Sequence, residues 1–193
     1  MATLNLTREL ERLIADIVRY VEEFRHIDPA RVMVCVASTR GSGIHGTYAK
    51  IHPLRFENGA RSTSVRRGRR TMTCSMPAVV HRGVEMLYVV YFLVPRFFDL
   101  SFREKLITVF HELYHISAAF DGDIRRFPGR NYAHGSSTRQ YNAHMATLVD
   151  AYLGARPDET LTQFLDGTMT EMRDRYRTIV GRKFPAPKIT IST

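Results

Sequence analysis

The stretch that most constrains this chain is His111-Glu112-Leu113-Tyr114-His115, a H-E-x-x-H pentapeptide inside an apolar segment from about residue 102 to 120. Residues four apart on an α-helix lie one above the other on the same face, so both imidazoles can converge on a single ion with Glu112 beside it. Neutral imidazole nitrogens suit Zn2+, which in catalytic sites takes three protein ligands and leaves a fourth position to water. A neighbouring carboxylate can accept that water's proton. In a chain with 8 histidines the pattern arises by chance about 0.02 times, which makes coincidence a poor account of it. Ser101 and Glu104 form a capping box at the start of the predicted helix, and Asp121-Gly122 supplies a stop. Leu106, Val109, Leu113, Ile116 and Phe120 share one face, while His111, His115 and Ala118 share the other. Small Ala118 and Ala119 would then leave room for another segment beside the histidines. The plainer alternative is a pair of core histidines bonded to backbone.

A third ligand has to come from downstream. After a charged stretch the chain reads Gly129-Arg130-Asn131-Tyr132-Ala133-His134-Gly135, and a second helix follows, capped by Ser137 with Gln140 three residues on. That helix runs through Tyr141, Met145, Leu148 and Tyr152 to Gly154 and contains no Glu. His134, in the glycine-flanked turn, is the favoured ligand, with His144 and Asp150 as alternatives. His144 also reads as a core histidine between Tyr141 and Leu148 on the apolar face.

H-E-L-Y-H, followed after a gap by His134-Gly135 and Tyr141, resembles the SprT-like and WLM-like branch of zincin metallopeptidases, whose third ligand is a histidine. The longer run, through Asp121-Gly122-Asp123-Ile124-Arg125-Arg126-Phe127 to Tyr141-Asn142-Ala143-His144-Met145, also resembles a group of bacterial and phage proteins described as metallopeptidases. The resemblance covers about residues 100–155. It implies one zinc per chain held by His111, His115 and His134, with Glu112 as general base. The four-cysteine zinc ribbon of some SprT-like proteins is missing, and the gap before His134 is filled with charge, so substrate identity does not carry over.

With 193 residues and 44% hydrophobic content, a single compact zincin-like domain spanning 1–193 is expected. The amino terminus is charged within ten residues, unlike a signal peptide, and the longest apolar run, 86–95, is too short to span a bilayer. Cys35 and Cys74 lack metal-type spacing and read as buried thiols in a reducing, cytoplasmic setting. The net charge of +9 favours polyanions, and Arg61, Arg66, Arg67, Arg69 and Arg70 concentrate it in a basic loop at about 57–75. That loop lacks interleaved aromatics for base stacking. Either it is a solvated mobile loop, or it contacts nucleic acid or an acidic partner.

Leu6 to Phe24 carries apolar residues at intervals of three and four, predicting an amphipathic helix that ends before Asp28-Pro29. Residues 31–37, 47–56 and 84–94 read as strands, the last being the most hydrophobic and therefore central or packed on the catalytic helix. The glycine-rich 41–46 lacks the Lys-Ser/Thr of a P-loop. A last helix after Arg156-Pro157-Asp158 places Leu161, Phe164, Leu165, Met172 and Tyr176 on one face, and residues 181–193 read as a tail with a short final strand. This order predicts an α+β fold: an N-terminal helix, a small mixed sheet, the H-E-x-x-H helix and two further helices.

The function expected from these features is zinc-dependent hydrolysis of peptide bonds in protein or peptide substrates. Tyr141, Tyr132, Arg139 and His144 are candidates to stabilise the oxyanion. An alternative is a nucleic-acid-associated protein with a structural metal and a phosphate-binding arginine loop. A third is a metal-dependent hydrolase of non-peptide amides. No contact with a membrane is expected.

Overall fold

Asn5 caps the first helix by accepting the Arg8 amide on its side chain (3.1 Å), and seven residues on one face of that helix are buried. In the computed structural model, which describes residues 2–39, 47–128, 138–155 and 158–192, this opens an α+β architecture. In chain order its first half comprises β1 (Thr3–Asn5), α1 (Leu6–Tyr20), β2 (Val32–Ser38), β3 (Ala49–Pro53), β4 (Ser62–Arg67) and β5 (Arg70–Ser75). The second half continues with β6 (Val80–His81), β7 (Val84–Glu85), β8 (Tyr88–Val94), α2 (Phe102–Tyr114), α3 (Thr138–Gly154), α4 (Met169–Arg175), β9 (Thr178–Val180) and β10 (Thr190–Ser192). None of the described helices is long and apolar enough to cross a membrane.

The central sheet has the order β2-β8-β3, with β2 parallel and β3 antiparallel to β8. The apolar run at 84–94 thus supplies the middle strand, as expected, although only 88–94 belong to it. Because side chains alternate, the sheet has two buried faces. Val32, Val34, Tyr88, Val90 and Phe92 face α1, α2 and α3 in the main core. Met33, Cys35, Val89 and Tyr91 face the other way and are covered by Leu54, Val79, Met86 and, from the tail, Phe184.

Three elements depart from the sequence reading. The H-E-x-x-H helix stops at Tyr114, with His115 as its C-cap, instead of continuing to 120. The segment beyond it folds back, so Ile116 bridges Ile124 and Ala118 and Ala119 lie exposed in the turn rather than beside the histidines. The basic loop is instead a β-hairpin whose strands β4 and β5 pair in register from Ser62–Ser75 to Arg67–Arg70. Alternating Thr, Val and Ser suit a ribbon, and Gly68, at φ 62°, opens the two-residue turn. The expected last helix is two short 3-10 turns followed by α4. Gly167, at φ 89°, breaks the segment and Thr168 with Glu171 starts α4 with a capping box.

Long-range polar contacts tie the helices together. Lys105 of α2 is buried and donates to the carbonyls of Leu165 (2.8 Å) and Gly167 (2.6 Å). The Tyr152 hydroxyl donates to Asp16 on α1 (2.6 Å). Segments far apart in sequence also meet where β1 pairs in parallel with β9.

Candidate metallopeptidase site

The capping box read from the sequence is present. The Ser101 side chain accepts the Glu104 amide, and the Glu104 carboxylate accepts the Ser101 amide at 3.0 Å. It fixes the start of α2 and so the angle at which the next three turns present His111, Glu112 and His115. The imidazoles of His111 and His115 sit together, ring centroids 4.8 Å apart. Glu112 is buried at 6% exposure and His115 at 9%. Burial pushes the Glu112 carboxyl up to about 8, opposed by a weaker, opposite pull from the Ile51 backbone amide.

That amide belongs to β3, an edge strand of the central sheet. The Tyr48 carbonyl accepts from the Leu93 amide (2.8 Å), and the Leu54 amide donates to the Leu87 carbonyl (2.9 Å), both in the neighbouring chain segment. In an antiparallel pair the bonded positions alternate, so the intervening Ala49 and Ile51 turn their N–H and C=O groups to the free edge. A cavity of about 470 Å3 runs between this edge and α2, lined by Tyr48, Ala49, Ile107, Thr108, Glu112 and Asn142 among others. Glu112 and His111 form part of its wall.

Tyr141 of α3 packs against both imidazoles, with centroids 4.8 Å from His111 and 5.7 Å from His115. Its hydroxyl donates to the His111 carbonyl at 3.3 Å, and burial together with the Glu112 charge raises its pKa. In this arrangement the tyrosine braces the two histidines. Arg139 is exposed on the first turn of α3. His144 is also exposed, its ring edge-on to Tyr114 at 5.3 Å. It is therefore not the core histidine between Tyr141 and Leu148 that the apolar pattern suggested: three residues on from Tyr141, it turns to the helix flank. Asp150 is held by Arg103 at the other end of α2, 2.8 Å away. Tyr132 and His134 lie outside the described residues, as do Ser137 and the glycine-rich 41–46.

Sequence reading missed the strap that closes the C-terminal end of α2. The Arg125 amide donates to the His115 carbonyl (2.7 Å), its Nε donates to the Tyr114 carbonyl (2.9 Å), and its guanidinium lies 4.2 Å over the Tyr114 ring. These bonds take up carbonyls that the helix end leaves without partners. The strap is itself anchored, because the Gly122 amide donates to the Tyr88 hydroxyl (3.0 Å), which donates to the Asp123 carbonyl (2.7 Å). Gly122 has φ 92°, and a Cβ there would meet the Arg55 Cγ at 2.5 Å, so only glycine fits. The Asp-Gly-Asp run was the available signal; it reads as a helix stop, but it also builds this support.

The donor chemistry fits a metal ion, with two imidazoles adjacent on one helix and a carboxylate beside them. Among the described residues no cluster of three or more His, Cys, Asp or Glu side chains could hold a metal, so the pair needs a further ligand from elsewhere. Neither a curated protein nor a solved structure matches the chain. A protein-family model does: residues 3–151, which span the central sheet, α2 and most of α3, match the family described as "Putative phage metallopeptidase", and the chain belongs to that metallopeptidase family.

Proposed function

We propose that this metallopeptidase is a zinc-dependent endopeptidase in which Glu112 is the general base. The observation that carries the reading is the placement of Glu112: desolvated, flanked by His111 and His115, and held against the free edge of β3 in the wall of a cavity. His111, His115 and His134 are the ligands, and when bound the zinc acts as a Lewis acid that polarises the scissile carbonyl. An extended peptide adds to β3 as a further strand, using the outward N–H and C=O groups of Ala49 and the C=O of Ile51, whose N–H is taken up by Glu112. This pairing holds the scissile bond over α2. Glu112 accepts a proton as water attacks the carbonyl carbon and returns it to the departing amine when the C–N bond breaks. Tyr141 positions both histidines through ring packing and its bond to the His111 carbonyl.

The test has two parts. Glu112→Gln should lower turnover by about 10²–10⁴-fold with the zinc content unchanged; retained proteolysis would sink the assignment of the base. In metal analysis of purified protein, one zinc per chain should be lost in His134→Ala and kept in His144→Ala. The reverse pattern would move the third ligand to α3. Full metal content without any peptide hydrolysis would make the metal structural.

A further inference from the structure

The tip of the β4–β5 hairpin carries a concentration of arginines whose one described hydrogen bond is local, from Arg66 Nε to the Gly68 carbonyl (3.3 Å). From Asn58 to Val84 the chain contains no Asp or Glu. At the root of the hairpin Arg61 and Arg55 both bind Glu85, at 2.9 and 2.7 Å, which anchors the ribbon to β7. The tip is different. Every residue from Ser64 to Thr71 is exposed, and Arg66, Arg67, Arg69 and Arg70 make no ion pair with any described carboxylate. Arg67 and Arg70 are directly opposed across the ladder, a like-charge pairing that costs stability. An arrangement that repels itself in the free protein is one that an anion would relieve.

Shape narrows the anion. The third strand, β10, pairs with β5 only at Thr73, Cys74 and Ser75. Beyond it three residue pairs and a turn project as a bare two-stranded ribbon, about 10 Å long at strand spacing. A two-stranded ribbon fits the major groove of B-form DNA, about 12 Å wide and 8.5 Å deep. Side-chain alternation puts Arg67 and Arg70 on one face of the ribbon and Arg66 on the other, with Arg69 in the turn. Cations on both faces suit a groove with phosphates on each wall; a flat anionic surface would engage one face. Between Phe56 and Tyr88 there is no aromatic residue on which unpaired bases could stack, which argues against a single strand. The major groove of duplex RNA is too deep and narrow to be entered.

We propose that the β4–β5 hairpin is a DNA-binding arm that enters a groove of duplex DNA, its four tip arginines contacting phosphates on both sides. This adds a binding site to the peptidase and does not depend on how the metal site works.

The experiment is fluorescence anisotropy of the full-length protein with a labelled DNA duplex of about two helical turns, across a salt series. Four phosphate contacts predict that replacing Arg66, Arg67, Arg69 and Arg70 with Ser flattens the log affinity against log salt slope by about 3.6, so the arm accounts for an affinity loss of about 100-fold between about 50 and 200 mM salt. A control protein with Arg173, Arg177, Lys183 and Lys188 replaced by Ser, four exposed cations elsewhere, should retain the wild-type slope. Should the quadruple hairpin variant fail to fold, Arg67→Ser/Arg70→Ser, which removes the opposed pair, should flatten the slope by about 1.8. Equal losses in the hairpin and control variants would reduce the effect to net charge and overturn the proposal. So would single-stranded DNA binding as tightly as duplex, or polyglutamate of equal charge competing as well as DNA.

Discussion

Glu112 is the residue whose surroundings are most at odds with its chemistry. A carboxyl in water loses its proton near pH 4.5, whereas burial pushes this one up to about 8. The metal-free fold therefore favours the protonated form, and the stability this group contributes is fully present below about pH 4.5 and lost as the pH rises through about 8. Gln has nearly the same shape and never ionises. Metal-free Glu112→Gln should melt at the wild-type temperature near pH 4.5 and higher than wild type at pH 8, by on the order of 5–10 °C. Thermal melts in chelator across that range would test it. A constant gap at all pH values would mean that Glu112 ionises normally in the fold, and that its basicity is not set by burial.

At the scale of elements, the site depends on where α2 stops. The helix ends on its second histidine, and Arg125 holds that end through the carbonyls of Tyr114 and His115. Removing the groups that orient a metal ligand costs about 10–100-fold in metal affinity. Arg125→Ala keeps the main-chain bond to the His115 carbonyl but loses the Nε bond to the Tyr114 carbonyl and the packing on the Tyr114 ring, and should therefore weaken zinc binding by about tenfold while leaving the chain folded, whereas Arg125→Lys should keep part of the cation packing on Tyr114 but not the Nε bond. Competition with a zinc-sensitive dye would separate the three proteins. Unchanged affinity in Arg125→Ala would mean that helix packing and the main-chain bond from residue 125 suffice to fix His115.

The same helix shows what sequence can and cannot reveal. Ser101, Glu104 and the H-E-x-x-H spacing act within a few residues of one another, so the start of α2 and the histidine pair were legible. Its end is decided by partners far along the chain, Tyr88 and Arg55 meeting Gly122, and no local pattern encodes them. The middle strand was legible because burial on both faces demands an unbroken apolar run. The β4–β5 hairpin was not, since its strands bury no residue and so carry no hydrophobic alternation. The third metal ligand expected at His134 lies outside the described residues.

For the whole molecule, the residues past the matched family region complete the fold. Gly181 lies against Val36, Arg182 donates to the Val34 carbonyl and to Glu11, and Phe184 covers the second face of the central sheet beside Cys35. Burial pushes the Cys35 thiol up to about 11, which keeps it unreactive. Ending the chain after Val180 should lower the melting temperature and speed maleimide labelling of Cys35 by about tenfold or more, read against Cys35→Ser to discount Cys74. Unchanged labelling would show that the second face stays closed without the tail. The pairing of Thr3 with Thr178 also imposes an order in time. At about 5–20 residues per second, a ribosome needs roughly 9–35 s to travel from one partner to the other. Throughout that interval the newborn chain carries β1 with no mate, so this pairing can close only after the strands of the central sheet and the H-E-x-x-H helix have all been made.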